Sequence, residues 1–578
     1  MTWETLRRLL TYLEKYRHLV WGTALCAVLS VGANLIGPLW IGAAIDQMIG
    51  RGAVRFDIIA GLLIRLGAVY AAGSLFAWLL TVFTNRIAYQ TVNDLRRRLF
   101  EKLNALPLRF YDTRPHGDTI SRFVNDLDIV AEGLLQGLST LATGIATILG
   151  AIGFMVYLNP LMAAVVLLSA PASYLVARFI TRRSQQLFKE QAQSLGELNG
   201  FAEEMISGQK VVKAFNYERR AQERFAAINA ELYRSGVKSQ FYGSLANPTT
   251  RLVNNITYSV VGTIGAAAAV FGRITVGDIS SFLIYANLFA KPFNEITGVL
   301  TQIQSAGASA RRIFEILDLP VERPDDPEAL VLTQSRGNIA FDKVDFAYDR
   351  ERPLITDFNL EVNPGSRIAI VGRTGAGKTT LVNLLLRFYE VDRGVITVDG
   401  VNINRITRDS LRRNFGMVLQ DTWLFEGSIR DNIAYGKPEA SDAEVIAAAK
   451  AADAHGFIKR LPDGYQTLIS ETGDNLSQGQ KQLLTIARVM LADPPLLILD
   501  EATSSIDTRT ELRIQKAFLR MVARRTSFII AHRLSTIREA DLILVMDHGN
   551  VVERGTHQQL LARGGLYAAI YNSQFAPG

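Results

Sequence analysis

The first half of the chain alternates between continuous apolar runs and longer stretches that are apolar only at helical spacing. Residues 19–45 carry no charged side chain, and such a run exceeds the ~20 residues that cross a bilayer as a helix. Comparable runs lie at 66–85, 134–158, 160–177 and 252–272. A sixth, 274–290, is weakened by Asp278 near its start. Ahead of the first run, Trp3, Leu6, Leu10 and Leu13 fall on one helical face, with Arg7, Arg8 and Lys15 elsewhere. That pattern predicts a helix lying in the membrane interface. Six spans put both ends of the membrane domain on one side.

The connections fix which side. Segments 86–130 and 178–240 are long and basic, with Arg96, Arg97, Arg98, Lys102, Arg109, Arg182, Arg183, Arg219 and Arg220, whereas the loops at Asn159 and Arg273 are short. Positive charge marks the cytosolic side, so both termini and both long connections are expected in the cytosol, with the chain multi-pass in the plasma (inner) membrane. Residues 91–103 and 185–204 keep three- and four-residue apolar spacing and read as helices continuing out of the membrane. Breaks at 106–117 and 207–218 each place a short exposed turn far from the bilayer.

Composition changes this picture little. The net charge of +7 admits a nucleic-acid partner, but the basic residues sit on membrane-flanking loops, so none is expected. The single cysteine, Cys26, excludes an internal disulfide and a cysteine metal site. The N-terminal residues 1–17 lack the apolar core and cleavage site of a signal peptide, and no peptidase domain is expected ahead of the first span. Asn254, Asn255, Asn287, Lys291 and Glu295 lie in or near membrane depth. Lys291 and Glu295 are one helical turn apart and can pair; they either line a path or are wetted at the cytosolic end.

After residue 317 the pattern changes. Residues 318–336, rich in proline and acid at 320–327, read as a linker, dividing a 1–317 transmembrane domain from a 337–578 soluble domain. There, short alternating runs at 338–342, 344–346 and 358–362 precede α/β units. The apolar run 367–371 and the helical run 380–387 flank a glycine-rich turn. Gly372, Gly375 and Gly377 let backbone amides close around phosphate oxygens, together with Thr374 and Ala376. Lys378 supplies charge to the outer phosphates, and Thr379, followed by Thr380, offers a hydroxyl to Mg²⁺. This is a P-loop.

A second apolar strand, 496–499, ends at Asp500 and Glu501. In P-loop enzymes an aspartate there holds Mg²⁺, and the glutamate is placed to orient or deprotonate the attacking water. A third strand, 527–531, ends at His532, which can contact the γ-phosphate or the water. Tyr348, shortly before the P-loop, is placed to stack on adenine. Ser477, the Gly479 amide and Gln480 open a helix at 481–491 and form a second anion site. One nucleotide does not need two phosphate-binding helix ends from one domain, which suggests a nucleotide shared between two copies.

These motifs resemble the ATP-binding cassette (ABC) exporters, in the half-transporter layout. The resemblance rests on residues 372–379, the signature 476–480, and Asp500 with Glu501, and it covers nearly the whole chain. It implies an all-α six-helix transmembrane domain followed by an α/β P-loop nucleotide-binding domain, with ATP and Mg²⁺ as cofactors. It further implies Gln420 as the Q-loop glutamine on metal and water, 504–507 with Asp507 as the D-loop, His532 as the switch histidine, and Tyr348 as the adenine-stacking aromatic. Glu471 lies where the family has its X-loop. The breaks at 106–117 and 207–218 resemble coupling helices, the second docking on the partner's nucleotide domain. The implied function is ATP-driven export of a small hydrophobic or amphiphilic substrate, drug-like or lipid, by alternating access in a lipid bilayer. A peptide exporter, or an ATP-gated channel or regulator, is the alternative; the complete set Lys378, Asp500, Glu501 and His532 argues for pumping.

Two positions depart from the family pattern. Gln478 stands where glycine is usual, and Ser470 precedes Glu471 where glycine is common. Altered signatures occur in heterodimeric exporters with one weakened ATP site. The expected partner is therefore a second, different half-transporter, with a homodimer as the other arrangement.

Overall fold

The computed structural model describes residues 3–49, 54–373, 375–419, 422–470, 475–500, 507–530 and 537–575. Two compact units emerge: Met1–Ala105 with Pro115–Leu319, and Leu106–Arg114 with Pro320–Gly578.

The first unit is helical. Trp3–Glu14 precedes Arg17–Asp46, Phe56–Asn104, His116–Leu158, Pro160–Ser207, Glu218–Ser244, Ala246–Val270 and Val276–Leu317. Four helices are long and apolar enough to cross a membrane among the described residues: Arg17–Asp46, Phe56–Asn104, His116–Leu158 and Arg251–Val270. The expected spans 160–177 and 274–290 lie on Pro160–Ser207 and Val276–Leu317. The outward surface is apolar in a way no water-soluble bundle tolerates: Trp21 and Ile64 are 75% and 74% exposed, and Trp78 and Leu25 are also exposed. Exposed apolar side chains of this kind mark a surface covered by lipid or by another chain.

Close helix approach depends on small residues, as expected without a hydrophobic drive between spans. A Cβ on Gly42 would meet Gly277 O at 2.5 Å, and one on Gly277 would meet Gly42 O at 2.1 Å. The Gly277 amide donates to Asp46 Oδ1 at 2.8 Å, and the Ser281 hydroxyl to Pro38 O at 2.7 Å. Tyr285, fully buried, donates to Leu35 O and stacks on Phe154 at 5.4 Å. Asp278, which weakened the sixth span as read from sequence, is the third residue of this helix and forms a capping box with Thr275. Its charge therefore marks the helix start rather than interrupting a span.

Outside the spans, Arg122–Asp126 forms a π-helical turn. Buried Asp126 accepts from Arg312 Nε at 2.8 Å and from its Nη2. Leu9 and Leu13 bury one face of Trp3–Glu14, while Arg8 donates to both Asp318 oxygens at 2.6 and 2.7 Å. The two breaks hold short helices, Gln209–Ala214 in this unit and Leu108–Asp112 in the second. On Gln209–Ala214, Val211 and neighbouring Phe215 are exposed.

The second unit is α/β. Its main sheet runs in the order Asn550–Gly555, Leu542–Asp547, Arg367–Gly372, Thr526–Ile530, Leu496–Asp500, Phe415–Val418. All neighbours pair in parallel except the first. The five parallel strands are largely buried on both faces and hence read as continuous apolar runs, whereas the edge strand Asn550–Gly555 is not. A second, antiparallel sheet orders Ile355–Val362, Ile339–Phe346, Arg393–Val398 and Val401–Asn402. The helix Lys378–Leu385 joins the two by burying Leu381, Leu384 and Leu385 in one cluster with Phe341, Ile370 and Ile498.

Candidate active site

The parallel sheet delivers the chemistry to one edge. Gly372, Val418, Asp500 and Ile530 end four of its strands, and the register pairs Ile530 with both Ile370 and Asp500, and Val418 with Leu499. The carboxyl edge of such a sheet is where α/β proteins bind ligands.

The turn after Gly372 needs glycine for a measurable reason. Gly375 and Gly377 have φ of +82° and +91°, a region costly to other residues. Gly377 caps the helix Lys378–Leu385, whose first amides have no partner within the helix and point into the turn. Lys378 Nζ folds back over the loop, donating to Gly372 O at 2.7 Å and Arg373 O at 3.0 Å. Burial lowers the Lys378 pKa, and the Asp500 carboxylate opposes that shift. Lys378, just past the strand that ends at Gly372, and Asp500, at the end of another, thus stand at the same carboxyl edge of the sheet. Thr379 is exposed and Thr380 buried. A threonine hydroxyl and one carboxylate are hard oxygen donors. They suit Mg²⁺, which keeps waters and substrate phosphates in its shell rather than an all-protein cage.

Tyr348 stands beside this loop. Its hydroxyl donates to Thr380 Oγ1 at 3.2 Å, and its ring packs edge-on to Phe346 and Tyr389 at 4.9 and 5.0 Å. The short helix Leu108–Asp112 touches the same place: Arg109 donates to Tyr348 O at 3.0 Å, and the Tyr389 hydroxyl to Asp112 at 2.5 Å. Burial, then this bond, pushes the Tyr389 phenol pKa well up.

The signature lies apart. Ser477 caps the helix Gln478–Ala492 in a box with Gln480: Gln480 N donates to Ser477 Oγ at 3.3 Å, and Ser477 N to Gln480 Oε1 at 2.9 Å. Accepting that bond leaves the Ser477 hydroxyl proton free to donate. Gly479 is buried in the first turn. The helix packs on the edge strand Phe415–Val418, where a Cβ on Gly416 would meet Val489 at 2.6 Å. Three strand spacings separate that strand from the P-loop strand, roughly 14 Å. Asp507 caps Thr508–Val522 through Thr510 N at 2.9 Å, and this backbone bond lowers its pKa.

Sequence reasoning missed one link. Gln478 Nε2 donates to Thr422 Oγ1 at 3.1 Å. Farther along the same helix Arg488 donates to Trp423 O at 3.3 Å and Asn432 O at 2.9 Å. A lone threonine in a loop gives no sequence signal of such a role. Lys291 and Glu295 lie 3.8 Å apart and are exposed. Thr374, Gln420, Glu471, Glu501 and His532 lie outside the described residues; Gln420, Glu501 and His532 follow strand ends Val418, Asp500 and Ile530 closely in sequence.

Comparison with known proteins agrees with this layout. The ABC transporter transmembrane region matches residues 20–293 and the ABC transporter domain residues 355–504. A fatty acid ABC transporter ATP-binding/permease protein of Mycobacterium bovis is 45% identical over 555 residues, covering 93% of this chain and 88% of the relative. A putative multidrug export ATP-binding/permease protein of Staphylococcus aureus is 35% identical, covering 98% of this chain and all of that protein. A solved structure of a bacterial Atm1-family ABC exporter with ATP bound superposes with a TM-score of 0.76 at 33% identity, over 97% of this chain and 99% of that one. The chain belongs to the ABC transporters, as an exporter half-transporter. It is a multi-pass, ATP-binding and ATP-hydrolysing membrane transporter that acts as a dimer.

Proposed function

We propose that this half-transporter exports a hydrophobic or amphiphilic small molecule, drug-like or lipid, across the cytoplasmic membrane by alternating access. The observation that carries this reading is the gathering of Lys378 and Asp500 at one sheet edge, in a chain whose other unit exposes large apolar side chains along its spans. Fatty acid and multidrug exporters among the relatives support the substrate class. The positive loops support cytosolic termini and a cytosolic nucleotide domain.

ATP is proposed to lie with adenine on Tyr348 and its phosphates in the amide cradle of Gly372, Thr374, Gly375, Ala376 and Gly377. Lys378 neutralises the β- and γ-phosphates, and Thr379 and Thr380 open the helix beneath them. The Thr379 hydroxyl and the Asp500 carboxylate, with Gln420, would hold Mg²⁺, which when bound would supply charge neutralisation for the transferring phosphoryl group. Glu501 takes the proton of the attacking water, and Gln420 and His532 orient water and γ-phosphate. The opposite wall comes from the partner's signature. The roughly 14 Å between this chain's P-loop strand and its own signature-bearing edge supports such sharing, with Ser477, Gly479, Gln480 and Asp507 serving the partner's ATP in return.

ATP closes the dimer only through its higher affinity for the closed state. The altered Gln478 supports a heterodimer in which this chain supplies the competent catalytic residues. Substrate-stimulated ATPase together with uphill uptake into vesicles tests the whole reading; stimulated hydrolysis with only downhill flux would instead indicate a gated channel.

A further inference from the structure

The sequence between the last membrane helix and the nucleotide unit reads as a linker, yet it is fastened at both ends. At its start, Asp318 caps Val276–Leu317 and accepts from Arg8 Nη1 and Nη2, while the Arg8 guanidinium lies 4.3 Å over Phe314. At its far end, within the second unit, Asp325 accepts from Arg408 N at 2.8 Å, Arg408 Nη1 at 2.6 Å and Arg387 Nη1 at 3.3 Å. Glu322 meets Arg408 Nε at 3.2 Å and Arg412 Nη2 at 3.3 Å. Arg387 and Arg408 are buried. Arg387 stands one residue past Leu386, the C-cap of the P-loop helix Lys378–Leu385, and Arg412 closes on the same end through Leu386 O and Arg387 O at 3.1 and 2.9 Å. Only Leu319, Pro320 and Val321 separate Asp318 from Glu322, and Pro320 has one fixed backbone torsion.

A buried charge network adds little net stability over an apolar one. Its use here is positional. We propose that residues 318–325 are a strap that transmits movement of the P-loop helix to the last membrane helix, with Arg387, Arg408, Arg412 and Arg8 as its positioning residues. A covalent path this short, pinned at each end, leaves few degrees of freedom in which the movement could be lost.

The test inserts Gly-Ser-Gly-Ser between Leu319 and Pro320 in the full-length dimer in nanodiscs. This slackens the strap and leaves both anchors and every ATP-binding residue in place. Spin labels at Ile49→Cys and Phe271→Cys, both exposed, in a Cys26→Ser background report the membrane unit's response to ATP with vanadate. The parent is expected to shift its distance distribution. The insertion variant is expected to keep its Tm and ATP affinity while its shift falls below about half of the parent's. Arg8→Ala should reduce the shift likewise, and Arg8→Lys should restore part of it, since lysine keeps the charge without the two-pronged grip. A full shift in the insertion variant overturns the strap alone. A parent without any shift overturns the alternating-access reading, and the strap with it.

Discussion

The Gln478 side-chain amide donates to the Thr422 hydroxyl at 3.1 Å, so the residue that departs from the signature pattern ties the signature helix to the loop two residues beyond Gln420. The bond is exposed, and such bonds contribute only ~0.5–1.5 kcal/mol. If the signature serves the weaker of two sites, Gln478→Gly should change steady-state hydrolysis by less than about threefold. Thr422→Val should do the same, and the double variant should be no worse than either alone, since both remove one interaction. A tenfold rise or fall in turnover on Gln478→Gly would show that this signature serves the working site.

Glu501→Gln tests the general base. Loss of the proton acceptor should lower ATPase by roughly two to four orders of magnitude, with ATP binding through Lys378 and Asp500 retained. Turnover near that of the parent would remove Glu501 from the role.

Tyr348 is held by Phe346, Tyr389 and the Thr380 hydroxyl. Ring stacking on a base is worth ~1–3 kcal/mol, so Tyr348→Ala should raise KM for ATP roughly five- to hundredfold and lower kcat less, because stacking acts in ground and transition states alike. Tyr348→Phe keeps the ring and should stay near the parent. A pure kcat defect in the alanine variant would count against stacking.

Ser477→Ala distinguishes the two assemblies. In a heterodimer whose partner carries the standard signature, the loss falls on the weak site and turnover should remain within about threefold of the parent. In a homodimer every site loses its hydroxyl contact. A chain that purifies alone as a stable dimer, and loses nearly all ATPase on this change, refutes the heterodimer.

Much of this was legible in the sequence because the signals are local. A span needs only its own apolar residues, and residues 367–371 and 496–499 announce buried parallel strands by being apolar throughout. The glycines of the P-loop are required by backbone angles that few other residues adopt. What stayed hidden depends on distant partners. Asp278 looked like a charge inside a span until Thr275 supplied its capping partner. Asp325 reads from sequence as part of a linker rich in proline and acid, because Arg387 and Arg408 lie far along the chain. The pairing of Gln478 with Thr422 joins positions 56 residues apart, and no periodicity or motif encodes it.

The most direct test of export is accumulation in inside-out membrane vesicles of a lipophilic dye and, separately, a fluorescent fatty acid. With ATP and Mg²⁺, vesicles carrying this chain and its partner should accumulate at least one of the two against its gradient, and those carrying Lys378→Ala should not. ATP hydrolysis at parental rates with neither compound accumulated, or with only downhill movement, would contradict export of a hydrophobic or amphiphilic substrate.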